Sequence, residues 1–301
     1  MGGCYESSRS SYVAPPRRDN VRSSLDAFFS THDRTKLVAA CREHEHENAS
    51  GFIKQLLTYR GCTEAPKEFP EIEYEVKLAI EPKGFEPDPS IKQYLDSFEF
   101  PPTGAARFLK DPVNAIAEGV NHFFGEGLEE HLVLIEKGGK MYLKEKSQPL
   151  PLDTGVPYEH LVMKRTELRC AASMDEVLTK VAGLKKDVDY VGALRKEKGD
   201  AFILDTTDGR IYSFTVTRAH APGRIQRQLE IEYAGFVPGF LGFEKENETQ
   251  IVAGMVELAK HVVVLHQNAP IANGVTMQLK PTDERKYDFV RNATPLLDAR
   301  K

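Results

Sequence analysis

From Glu71 the chain is written in twos. Glu71, Glu73, Glu75 and Lys77 alternate with Ile72, Tyr74, Val76 and Leu78. Successive side chains of a β-strand leave on opposite faces, so this period puts the charges on one face and the apolar groups on the other. The same alternation returns in Leu229-Glu230-Ile231-Glu232-Tyr233. Between these two segments lie further strand candidates. Residues 131–136 and 140–146 flank the turn Lys137-Gly138-Gly139, and another strand spans 160–169. Residues 190–198 and 201–205 read as a hairpin around Gly199-Asp200, Asp208-Gly209 leads into 210–218, and 226–233 closes the series. Glycine at such points supplies the positive φ that tight turns require. Strands joined mainly by hairpins, with few helices between, specify an antiparallel barrel or sandwich rather than a parallel sheet.

Helical spacing occupies other parts of the chain. Leu25, Phe28, Phe29, Leu37, Val38 and Cys41 fit one helix, and Phe52, Ile53, Leu56 and Leu57 a second that stops near Gly61. Ser173 with Glu176 three residues on has the form of a capping box, opening a helix that ends near Gly183. Residues 247–268, with Val252, Met255, Leu258 and Val262, form an amphipathic pattern. A short helix is expected within 113–124, and the proline-bearing stretch 81–103 reads as connection. The expected organisation is a disordered tail at 1–22, an N-terminal helical extension at 23–65, the barrel domain at 66–270 and a C-terminal tail at 271–301.

Composition narrows the function classes. The formal net charge of -5 argues against a general nucleic-acid or membrane-surface binder, so no DNA partner is expected. No stretch has the length of a membrane span, and the N-terminus lacks the apolar core of a signal peptide. Cys4, Cys41, Cys62 and Cys170 are too dispersed for a zinc knuckle or a disulfide framework, so a reducing, cytoplasmic setting is expected. Glu6 stands where N-myristoylation wants Ser or Thr, although acylation at Gly2 or Cys4 stays open. His44 and His46 are two apart in a helical context and point in different directions, so they read as a solvated face. His261 and His266 have poor spacing for a shared site, and neither a phosphate-binding glycine loop nor a hydrolase triad is present.

The chemistry-bearing pattern is the pair of alternating carboxylate strands. Each alone has an ordinary reading as the wet face of an amphipathic sheet. Between them, however, strand candidates repeatedly offer cations: Lys144 and Lys146, Lys164 and Arg165, Arg195 and Lys198, Arg210 and Arg218. Asp205 ends the strand that begins at Ala201.

Glu73-Tyr74-Glu75-Val76-Lys77 as an opening E-x-E-x-K strand, basic strands after it and Glu230-Ile231-Glu232 as a closing E-x-E strand together resemble the CYTH or triphosphate tunnel family. The resemblance covers residues 71 to about 235. It implies an α+β fold: an antiparallel eight-stranded β-barrel, or tunnel, with flanking helices and the N-terminal helical extension. It implies divalent metal (Mg²⁺ or Mn²⁺) held by Glu73, Glu75, Glu230 and Glu232 with Asp205 assisting. It implies phosphate oxygens held by Lys77, Lys144, Lys146, Lys164 and Arg195, with Glu73, Glu75 and Lys77 at the catalytic centre. This chain has Lys144-Glu145-Lys146 where the family usually has Arg-x-Arg, which keeps the charge but loses the bidentate fork.

The expected activity is metal-dependent hydrolysis of tripolyphosphate or an organic triphosphate such as a nucleoside triphosphate. A nucleotidyl cyclase of the same fold and a non-catalytic polyphosphate-binding module are the alternatives. The N-terminal helices are the expected surface for any protein partner.

Overall fold

In the computed structural model the chain is described at residues 71–83, 89–97, 106–110, 117–125, 131–171, 189–205, 209–236, 247–267, 269–272 and 275–293, and at positions 30, 31, 35, 36, 173, 175, 176 and 179. In chain order the elements are β1 (Glu71–Lys83), α1 (Ile91–Ser97), β2 (Ala106–Lys110), β3 (Ala117–Gly125), β4 (His131–Lys137), β5 (Lys140–Lys146), β6 (Val162–Ala171), β7 (Asp189–Asp205), β8 (Arg210–Ala221), β9 (Arg224–Phe236), α2 (Glu248–Leu265), β10 (Ala269–Ala272), β11 (Val275–Pro281) and α3 (Lys286–Ala293). Pairing runs β1-β6-β5-β4-β3-β7-β8-β9 and returns from β9 to β1, always antiparallel, so eight strands close into a barrel. Closure leaves no raw edge on these strands. Outside the ring, β11 pairs with the second half of β1, β10 pairs with β11, and β2 extends the pairing of β7.

Polarity in this barrel is inverted. The even positions of β1 (Val76, Leu78, Ile80) face outward with Leu229 and Ile231 of β9 and Phe214 and Val216 of β8. The apolar stripe of α2 (Val252, Met255, Val256, Ala259, Val262) covers them, joined by Ile91 and Tyr94 of α1 and Met277 and Leu279 of β11. The main core therefore lies between barrel and helices, and the odd-numbered charges of β1 turn into the lumen. Asn247 starts α2 with a reciprocal capping box: Gln250 N donates to Asn247 Oδ1 and Asn247 N to Gln250 Oε1, both at 2.9 Å. The Ser173–Glu176 box forms as its spacing predicts, with Glu176 N donating to Ser173 Oγ at 3.2 Å and Ser173 N to Glu176 Oε2 at 2.6 Å. The β4–β5 turn has both glycines at positive φ, 57° and 71°.

Several sequence expectations give way. Residues 189–205 form one continuous strand rather than a hairpin at Gly199-Asp200. Gly199 is there for space: a Cβ would lie 2.6 Å from Leu95 and 2.7 Å from Ile91, because α1 packs directly on it. That helix lies within 81–103, a stretch its prolines mark as connection. The helix expected within 113–124 is instead β3 over 117–125, hydrogen-bonded on both sides by β4 and β7, a tertiary pairing that overrides local spacing. Residues 275–281 and 286–293 carry β11 and α3, inside the stretch read as a tail. Of the expected extension at 23–65 only 30, 31, 35 and 36 are described, all helical; the tail at 1–22, Cys4, Cys41, Cys62, His44 and His46 lie outside the described residues.

Gly199→Val should destabilise the fold by roughly 1–3 kcal/mol through overpacking against α1. A loss below about 0.5 kcal/mol in urea titrations would mean that α1 does not bear on this strand.

Candidate functional site

The strand parity that sends the apolar residues outward converges charge on the axis. A cavity of about 100 Å³ is lined by Glu73, Glu75 and Lys77 of β1, Lys144 and Lys146 of β5, Arg165 of β6, Lys196 and Lys198 of β7, Glu230 and Glu232 of β9, and Arg285 and Lys286 at the head of α3. Asn121, Phe123, Val133, Ile135 and Tyr287 complete the wall. Register explains the groupings. Across β1 and β6, Glu73 lies opposite Arg165. Across β1 and β9, Lys77 lies opposite Glu230 and Glu75 opposite Glu232.

Arg165 organises the acidic wall. Its Nε donates to Glu73 Oε2 at 2.5 Å and its Nη2 to Glu75 Oε2 at 2.7 Å, with all three side chains largely buried. Lys77 adds an ion pair to Glu75 at 3.2 Å, and Lys146 one to Glu73 at 3.4 Å. Burial alone would raise both carboxyls. Lys146, Arg165 and Lys144 outweigh it for Glu73 and hold it well below the usual range; Lys77 and Arg165 take Glu75 down to about 2. Glu232 behaves oppositely: burial first, then the charges of Glu73 and Glu75, push it up to about 7.

The basic wall is short of anions. Glu167 pairs with Lys144 at 2.5 Å and with Lys146 at 2.9 Å, and Glu230 pairs with Lys286 and, at 3.9 Å, with Lys196. Burial and the neighbouring Lys198 and Lys146 nevertheless depress Lys196 to about 7, and burial with Lys146 takes Lys144 to about 8. Lys286 is also pushed well down, by burial and then by Lys196 and Lys77.

A metal fits one position among the described residues. Glu73, Glu75 and Glu232 each offer an oxygen, and these lie within 4.8 Å of one another. Like charges directly opposite across a sheet, as Glu75 and Glu232 are, cost stability unless something compensates. Carboxylate oxygens are the donors that hard divalent ions prefer.

The structure turns three of the sequence candidates away from this cavity. Lys164 has the parity of outward-facing Val162, and its Nζ is 2.5 Å from Glu248 at the start of α2. Arg195 is 59% exposed and pairs with Glu118 at 2.8 Å. Asp205 shares the outward parity of Ala201 and sits opposite Ala106 of β2. In their place the cavity wall has Arg165, one residue from Lys164, and Lys196 and Lys198, flanking Glu197; Asp200, on the same face of β7 as Lys198, accepts from Thr215 Oγ1 at 2.7 Å and pairs with Lys198 at 2.8 Å. Parity relative to the outward apolar residues would have picked these out had the pairing register been known. Lys286 and Arg285 carry no comparable sequence signal.

No model of a known protein family matches the chain, and no curated protein matches it by sequence. Solved structures with a similar course of the chain include the PH1819 protein of Pyrococcus horikoshii OT3 (12% identity, TM-score 0.39, covering 76% of this chain and 99% of that one). Another is HpAC1 from Hippeastrum, a putative adenylyl cyclase described as having a dominant triphosphatase activity (15%, TM-score 0.39, 73% and 95%). A third is the Pct1 RNA triphosphatase of S. pombe (12%, TM-score 0.27, 83% and 91%). Among the described residues no helix is long and apolar enough to cross a membrane.

Proposed function

We propose that the chain is a metal-dependent phosphohydrolase that binds a triphosphate, inorganic or organic, inside the barrel. The observation that carries this reading is the crowding of like charges in the lumen. Three carboxylates crowd one wall while eight cationic side chains line the cavity, Lys196 and Lys144 among them depressed by burial and then by neighbouring lysines. Buried charge is costly unless compensated, and a polyanion with its cation would compensate both walls at once.

In this reading Glu73, Glu75 and Glu232 hold a divalent ion, Mg²⁺ or Mn²⁺, which when bound neutralises phosphate oxygens and makes phosphorus more electrophilic. Lys144, Lys146, Lys196, Lys198 and Lys77 hold phosphate oxygens. Anion binding returns full charge to the depressed lysines and so strengthens the grip. Arg165 touches both Glu73 and Glu75 and fixes their orientation. The close-set walls leave little room for bulk water. Catalysis then rests on positioning and electrostatic stabilisation of charge on the transferring phosphoryl group.

The test is phosphate release from tripolyphosphate and from ATP by the full chain, with Mg²⁺, with Mn²⁺ and with chelator. Metal-dependent release is the expected result. Conversion of ATP to a cyclic nucleotide would make the protein a cyclase. Calorimetric binding of tripolyphosphate without turnover would make it a binding module, and neither turnover nor binding would end the proposal.

A further inference from the structure

The lumen has a wet end and a dry end. On the inward face of β7, the side chains of Asp200 and Lys198 are 29% and 35% exposed and that of Lys196 is 19%, whereas Leu194, farther along the same face and packed on α3, is 1% exposed. The dry end is closed by α3. Tyr287, Phe289 and Val290 pack against Phe123, Val133 and Leu194 in one buried apolar cluster. The closure is also pinned by polar groups. Gln226 Nε2 donates to Glu284 Oε2 at 2.7 Å, Gln228 Nε2 to the Glu284 carbonyl at 2.7 Å, and Lys286 Nζ reaches Gln228 at 3.3 Å. Arg285, on the cavity wall, is held by two hydrogen bonds to Asp288, at 2.7 and 2.9 Å.

We propose that the cavity is a blind cup that takes linear phosphate chains by a free terminal phosphoryl group, and so rejects cyclic polyphosphates and chains capped at both ends. This rests on the phosphohydrolase reading and deepens it. An eight-stranded barrel is just wide enough for side chains or one small ligand. With a single mouth, a chain cannot pass through and present an internal linkage to the carboxylate wall; it can only insert an end. Lys286, from the stopper itself, is positioned to meet the leading phosphate. In the reaction a water oxygen bonds to the terminal phosphorus and the bridging P–O bond breaks. The shortened chain leaves on its oxygen, taking one of the water's protons, while the other stays with the released orthophosphate or dissociates.

The experiment uses the wild-type full chain with Mn²⁺ and four probes: linear tripolyphosphate, cyclic trimetaphosphate, diadenosine tetraphosphate and long-chain polyphosphate. Product lengths are read by gel electrophoresis and ³¹P NMR. Tripolyphosphate should be turned over, the ring and the doubly capped chain at least ~100-fold more slowly, since a misplaced reacting group loses about that much. Long chains should yield orthophosphate with no early fragments of intermediate length. Turnover of the ring within tenfold of the linear substrate, or early internal fragments, would overturn the blind cup while leaving the phosphohydrolase intact. No binding of tripolyphosphate by calorimetry would overturn both.

Discussion

Glu75→Gln should lower metal-dependent phosphate release by ~10²–10³-fold, the usual cost of losing one preorganised electrostatic contact in a buried site. The substitution keeps the shape and removes the charge. Glu75 lies opposite Glu232, beside Glu73, and takes hydrogen bonds and ion pairs from Arg165 and Lys77. It is thus the carboxylate through which the acidic wall and its fixing cations meet. Arg195→Ala is the control, since its side chain pairs with Glu118 on the outer surface; it should stay within about twofold of wild type. Equal losses in the two variants would mean that lumen charge does not govern the reaction. A Glu75→Gln protein as active as wild type would remove the acidic wall from the chemistry.

Arg165→Met should cost roughly 3–5 kcal/mol of folding stability without metal, because it leaves buried charges facing one another without compensation. Glu73, Glu75 and Glu232 would then crowd with only the lysines as relief. The informative part is the recovery. If these carboxylates form a metal site, millimolar Mn²⁺ should restore more stability to the variant than it adds to wild type, since the ion takes the position of the missing guanidinium charge. Mass action sets the scale, about 2.7 kcal/mol at a hundredfold excess over Kd. Thermal melts with and without Mn²⁺ measure both terms. A variant that loses stability but gains nothing extra from metal would leave Arg165 as a structural ion pair and argue against a cation at this wall.

The parts of this site that could be read from sequence are those where alternation decides direction. On β1 and β9 every second residue is apolar, so Glu73, Glu75, Glu230 and Glu232 share an inward face by local pattern alone. On β6 and β7 cations fall on neighbouring positions, Lys164 beside Arg165 and Arg195 beside Lys196. A period of two then says that one faces inward but not which one; the register against β1 and β3 decides. The apparent Gly199-Asp200 turn misleads for a related reason: glycine was needed to admit a helix, a contact no local window contains. Residues 286–293 are too short and too mixed to announce a helix, and their role depends on where the end of β11 delivers them.

The strand that carries the opening carboxylates also closes the ring: β1 pairs with β6 along its first half, with β11 along its second, and with β9 across its middle. Those partners arrive late in synthesis. The chain emerging from a ribosome therefore carries the acidic half of β1 beside an unclosed edge until β9 is available, while the other half waits for β11. Such non-local pairings form slowly, and open edges invite wrong ones. The acidic wall is thus among the last features to assemble, and its presence reports that the barrel has finished folding.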